Sequence, residues 1–132
     1  MANTRHKIGA RAEFRKREGR RIMDSASLST SFPQLKSLRA DLLFCTPDGL
    51  TRSSQVKYLV NLDHTKSVFR FDCLNRECVQ GDFDLSQALA KAVAARKTTE
   101  IGEMRCHGWL NKDSIKQVHC RRILRYKLSL GW

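Results

Sequence analysis

Five cysteines stand in the chain, and four of them are spaced to act together. Cys73 and Cys78 make a Cys-x4-Cys pair, and after 27 intervening residues Cys106 and Cys120 make a Cys-x13-Cys pair. Two thiolate pairs are what a tetrahedral structural zinc site uses, and the first pair has the short spacing of one ligand knuckle. The second pair is too far apart for a single knuckle. Two adjacent strands, or a strand end and a long loop, must bring it together. Four thiolates fill the coordination sphere and leave no place for an activated water, so one structural Zn2+ is expected and metal catalysis is not. Such a centre carries a charge of about −2, which Arg76 and Arg105 are placed to moderate. His107 and His119 adjoin Cys106 and Cys120 and are rival ligands. Strand parity favours Cys120, which shares a face with Leu124 and Tyr126, while Cys45 is assigned to the core. Inert buried thiols or intramolecular disulfides are the competing accounts of the four cysteines. Five is an odd number, which fits a reducing cytoplasm better than a disulfide framework.

The elements that must position these residues are legible from periodicity. Leu38, Ala40, Leu42 and Phe44 share one parity, as a half-buried strand requires. Thr46-Pro47-Asp48-Gly49 is a turn, and Val56, Tyr58, Val60 and Leu62 alternate in the strand that follows it. Residues 61–66 turn the chain again, and Phe69, Phe71 and Cys73 fall on one face of a third strand. Gly81 permits a tight turn. Asp84 and Gln87 match a capping box, opening a helix whose apolar stripe, Leu85, Leu89, Ala92 and Val93, ends near Lys97. A strand with Met104, Cys106 and Gly108 on one parity then runs to Trp109 and Leu110. A last strand carries Val118, Cys120, Leu124, Tyr126, Leu128 and Leu130, with Arg122 breaking the parity. The fold class is therefore α+β: a small antiparallel sheet of about five strands, one packed helix and a zinc-ribbon-like site.

Before this domain, residues 1–24 offer too few apolar side chains for a packed face, so a disordered or marginally helical arm is expected, and residues 25–31 are a serine-rich linker. The expected organisation is a flexible basic arm and linker over residues 1–31, then a single zinc-stapled domain over residues 32–132. No apolar run reaches the ~18 residues of a membrane helix, and the first residues lack the apolar core of a secretory signal.

The 132 residues carry a net charge of +12, and its distribution is informative. Residues 1–22 hold eight Lys/Arg against two acids; residues 105–127 hold seven against one; the rest cancels. Clustered cations suit a polyanion, because counterion release drives their binding to phosphates. The expected nucleic-acid contacts are Arg11, Arg15, Lys16, Arg17, Arg20 and Arg21 on the arm, Lys112 and Lys116 in a loop, and Arg121, Arg125 and Lys127 on the last strand. Trp109 and Trp132 could stack on bases or simply pack. RNA is favoured, since Arg-rich arms commonly order on it. No base-reading motif is present, so contacts to the backbone are expected. The alternative is a protein-interaction module whose basic arm takes an acidic partner. Enzymatic readings are weak: the deaminase pattern is absent, the phosphate-loop lysine is absent, and no His or Asn follows Asp63-His64 on the helix as a ββα-metal nuclease needs.

Overall fold

The computed structural model describes residues 3–110 and 118–132, with residues 3–8 described by their backbone alone. The chain runs α1 (Asn3–Asp24), α2 (Leu28–Ser31), β1 (Ser37–Cys45), β2 (Arg52–Leu59), β3 (Arg70–Asp72), β4 (Asp82–Asp84), α3 (Ser86–Ala94), β5 (Thr99–Arg105) and β6 (Ile123–Gly131). It is an α+β protein. Four strands form one antiparallel sheet in the order β2-β1-β6-β5, and β3 pairs with β4 in a separate two-stranded sheet. The described residues thus hold six strands in two sheets, where one sheet of about five was expected. Periodicity places strands without saying which of them pair: β3 hydrogen-bonds to β4, while its Phe71 stacks on Tyr58 of β2 at 5.8 Å.

The main sheet buries its even-numbered face. Leu38, Ala40, Leu42 and Phe44 of β1 and Leu124, Tyr126, Leu128 and Leu130 of β6 are buried side by side, in the register Leu42↔Tyr126 and Ala40↔Leu128. Leu89 and Ala92 of α3, with Leu85 before them, cover this face together with Phe83 of β4. Phe83 meets Phe44 edge-on at 5.8 Å. Burial of this apolar face is what holds sheet and helix together. At the end of β1 the pairing with β2 shifts by one residue, Ser53 being skipped, while the register with β6 runs on unbroken to Cys45↔Ile123, and both residues of that pair are buried on the odd-numbered face.

Three local expectations are corrected. The serine-rich stretch 25–31 is part of the folded body. Its Leu28 is fully buried, and the Leu28 N–H donates to the Thr65 carbonyl at 2.8 Å while Ser67 N–H donates to Ala26. Its hydroxyls act as a cap, Ser27 Oγ accepting from Thr30 N–H, so a polar composition conceals an ordered turn of helix. The Asp84–Gln87 capping box does not form. Asp84 ends β4, and its carboxylate accepts from Ser86 N–H at 2.9 Å and from Arg21 at 3.2 Å. Helix α3 also stops before Lys97: Arg96 adopts φ +49°, with Arg96 N–H bonded to Val93 and Lys97 N–H to Ala92, a Schellman closure.

Residues 3–24, expected as a disordered or marginally helical arm, form a helix. Within α1, Phe14 lies under the Arg70 guanidinium, 5.6 Å from ring centre to carbon, and Glu18 lies 3.7 Å from the same group. Arg70 is the receiver. Its side chain is 5% exposed and also pairs with Asp82 at 2.9 Å and Asp72 at 2.7 Å. Burial disfavours its charge, but the hydrogen-bonded carboxylates of Asp82 and Asp72 outweigh that and hold its pKa above the ordinary value. Among the described residues no helix is long and apolar enough to cross a membrane.

Candidate metal centre

The two sheets meet at the cysteines. Cys73 follows β3 and Cys78 precedes β4, so the hairpin between those strands delivers the first pair. Cys106 directly follows β5, and Cys120 lies three residues before β6. The β5–β6 ladder continues irregularly past the strands, with Cys106 N–H donating to Arg122 and Cys120 N–H to Gly108, each at 2.8 Å. Two adjacent chain segments therefore close the Cys-x13-Cys gap. A further bridge pairs Val79 with Trp109, N–H to carbonyl in both directions at 2.8 Å, and ties the first knuckle to the second.

The four sulfurs lie within 4.8 Å of one another, and all four residues are buried. Cys73 Sγ is 3.7 Å from Cys120 Sγ, and Cys78 Sγ is 3.6 Å from Cys106 Sγ. These separations are far beyond a disulfide bond, and all five cysteines are free. They match the edge of a tetrahedron whose centre lies ~2.3 Å from each sulfur, which is roughly 3.8 Å. The group has the donor set and spacing to hold a metal ion. Among the described residues no histidine joins it, and His119 Nδ1 faces the His107 carbonyl at 3.0 Å.

Electrostatics favour a cation here. Without one, hydrogen bonds from the Cys106 and Cys78 thiols pull Cys73 down to about 2. The contact with Cys106 pushes Cys78 well up, and the contact with Cys73 pushes Cys106 up to about 12. One thiolate excludes the next. A bound cation removes that conflict and allows all four to ionise.

Two glycines make the cradle. A Cβ on Gly81 would fall 2.3 Å from Cys78 Sγ and 2.5 Å from Cys106 Sγ; one on Gly108 would fall 2.3 Å from Cys78 Sγ. Neither sulfur can retreat without leaving the cluster. Gly108 N–H also donates to Cys106 Sγ at 3.3 Å, and Asn75 Nδ2 donates to Cys120 Sγ at 3.5 Å, softening thiolate charge. Sequence reasoning gave Gly81 a turn and did not single out Gly108 or Asn75. Their offsets from cysteines, Cys78-x2-Gly81 and Cys106-x-Gly108, were the available signal.

The expected nucleic-acid contacts are distributed unevenly. Arg11 donates to the Arg76 carbonyl in the first knuckle, and Arg11 and Arg15 line a crevice with Cys73, Cys78 and Gly81. Lys16, Arg17 and Arg20 are exposed on α1. Arg21 is engaged, paired with Glu18 at 2.8 Å and Asp84 at 3.2 Å. Arg125 and Lys127 stand on the outer face of β6, with Arg125 paired to Glu103 at 3.1 Å. Arg121 is exposed beside Cys120 at φ +55°, the reversal that accounts for the parity break in the sequence. Lys112 and Lys116 lie outside the described residues. The tryptophans have packing roles: Trp109 stacks on His119 at 3.8 Å, and Trp132 lies under Arg96 and donates Nε1–H to the Lys97 carbonyl.

Fold and centre together define a small α+β protein with a buried group of four cysteines able to hold a metal ion. Comparison of the chain with protein-family models, curated proteins and solved structures gives no match.

Proposed function

We propose that this chain is a non-catalytic zinc-binding domain that binds nucleic acid, RNA foremost, through electrostatic contacts to the backbone. Zinc fits the donors: four soft thiolates in near-tetrahedral array suit Zn2+ and disfavour the hard, oxygen-seeking divalent ions. Its role is architectural. Four protein ligands close the coordination sphere, and the centre joins two hairpins that also meet at the Val79–Trp109 bridge and in the apolar core.

One observation carries the nucleic-acid reading. The two basic segments of the sequence converge on the same centre: Arg11 and Arg15 flank Cys73 and Cys78, while Arg105 and Arg121 flank Cys106 and Cys120. A dianionic centre needs about two cations nearby; the remaining positive charge is available to phosphates. Lys16, Arg17, Arg20 and Lys127 extend the basic surface without a base-reading element, which favours backbone contacts.

Two measurements test this reading in sequence. Elemental analysis of protein purified without added metal should find one zinc per chain. Filter binding of an RNA oligonucleotide should then weaken steeply as salt rises. Absence of binding at low salt, or insensitivity to salt, would refute the nucleic-acid role. A partner captured from lysate that survives nuclease would favour an acidic protein instead.

A further inference from the structure

Next to the second cysteine pair is a cavity of about 610 Å3 lined, among the described residues, by Arg105, His107, His119 and Arg121, with no carboxylate among them. Arg105 is held by carbonyl oxygens, its Nη1 donating to Pro47 at 3.1 Å and to Arg121 at 3.5 Å. A guanidinium anchored by carbonyls keeps its full charge and further donors for an anion, unlike Arg21 or Arg125, which face acids. Arg121, exposed at φ +55°, lines the same cavity and is the second arginine there.

The histidine wall adds a different chemistry. His119 Nδ1 lies 3.0 Å from the His107 carbonyl, an acceptor, so Nδ1 carries the hydrogen. In the neutral ring Nε2 is then an acceptor, suited to a hydroxyl donor and not to a phosphate oxygen. Stacking on Trp109 fixes the plane of that ring. Two anion donors and one oriented hydroxyl acceptor are complementary to a phosphate with an adjacent hydroxyl, which in a nucleic acid is the ribose 2′-OH.

We propose that this cavity is a ribose-phosphate subsite, Arg105 and Arg121 holding one phosphate of an RNA strand and His119 Nε2 accepting from the 2′-OH. The proposal rests on the nucleic-acid reading and sharpens it: the pocket sets where the strand crosses the metal knuckle and selects RNA over DNA. Recognition by a 2′-OH acceptor is the means by which a protein tells the two apart.

The test is fluorescence anisotropy of the full zinc-loaded chain with a labelled single-stranded RNA and the DNA of the same sequence, over a salt series. Wild-type protein should bind the RNA about 5- to 10-fold more tightly, the range of one good hydrogen bond. Arg105→Gln and Arg121→Gln should each lower RNA affinity about 5- to 10-fold and reduce the salt slope by about one. His119→Phe, which keeps the stack on Trp109, should bring RNA affinity down to the DNA level. Metal content and melting temperature are read on every variant. Arg121→Gln is the cleaner of the two arginine tests, because Arg105 also ties down the Pro47 turn. RNA binding that the arginine variants leave unchanged in affinity and slope overturns the subsite while the nucleic-acid role stands. Equal wild-type affinity for RNA and DNA overturns the 2′-OH contact. No RNA binding at low salt removes the nucleic-acid role and the subsite with it.

Discussion

Gly81 and Gly108 lie back to back across the cysteine cluster: a Cβ on Gly108 would stand 2.7 Å from the Gly81 Cα and 2.8 Å from its nitrogen. The two knuckles therefore close on each other through bare backbone at these two positions, which leaves the sulfurs room to reach a common centre. Gly108→Ala and Gly81→Ala should each cost on the order of 2–3 kcal/mol, the usual scale of overpacking in a tight core. Each should also lower the metal bound per chain. Melting temperature and elemental analysis of the purified variants check this. Full zinc content with unchanged melting in both variants would mean the hairpins can part without losing the centre.

The cysteines separate into four that act as a unit and one that does not. Cys73→Ser or Cys106→Ser should forfeit zinc-linked folding energy and unfold the domain, and a strong chelator should do the same to the wild type. Cys45 is fully buried but lies in the β1 core, its Sγ 4.0 Å from the Leu43 carbonyl. Cys45→Ser should keep the metal and cost only about 1–2 kcal/mol for burying a hydroxyl. Circular dichroism melts with and without chelator distinguish these outcomes. Chelator-insensitive wild-type protein would reduce all five cysteines to core packing.

The cysteine set was legible because spacing alone limits which thiols can share an ion, and strand parity preferred Cys120 over His119. The strands of β1 and β6 were legible for the same reason: alternation at Leu38–Phe44 and Leu124–Leu130 is a one-dimensional property. What pairs with what is not. Nothing in Phe69-x-Phe71 says that β3 leaves the meander for β4, because that choice depends on Phe83 packing against Phe44 from a distant position. Leu28 was hidden by its serine neighbours. Arg70 was one cation among many until the fold placed Asp72, Asp82 and Glu18 around it.

That arginine makes the docking of α1 testable. Arg70→Ala removes the group that Phe14 and Glu18 contact and leaves the part-exposed carboxylates of Asp72 and Asp82 without their partner, while Glu18 keeps Arg21. The expected loss is about 1–3 kcal/mol, below the range for breaking a fully buried pair. Amide exchange along residues 9–24 should quicken while β1 and β6 stay protected. An unchanged exchange profile in α1 would show that Arg70 does not hold the helix.

Truncation probes the same boundary from the other side. Removing residues 1–24 should leave a folded, zinc-loaded domain with weaker RNA binding, since the helix adds charge and a peripheral contact. Leu28→Ala in the full chain should cost about 2–5 kcal/mol, because a fully buried leucine leaves a cavity between α2 and the sheet. Denaturant titration of both proteins ranks the two changes. A Leu28→Ala variant no less stable than the truncated chain would return residues 25–31 to the role of a linker.

The contact between Asp84 and Arg21 predicts a pH dependence of definite sign. Burial opposes the ionisation of Asp84, but hydrogen bonds from Ser86, through its side chain and its backbone N–H, and from Arg21 outweigh it, leaving the pKa below the ordinary carboxylate value of 3.8. A carboxyl whose folded pKa is depressed stabilises the fold fully above its unfolded pKa, and this stability is lost as pH falls through the folded value. The difference in melting temperature between wild type and Asp84→Asn should therefore be constant from neutral pH down to about pH 5 and shrink below the ordinary carboxylate range. Samples matched for zinc content at each pH keep acid release of the ion out of the comparison. Arg21→Gln should reproduce part of the same loss near neutrality while changing RNA affinity by less than Arg121→Gln does, because Arg21 already faces Glu18 and Asp84. A difference that grows as the solution is acidified would reverse the assigned direction of the shift and remove Asp84 as a stabilising anion at the start of α3.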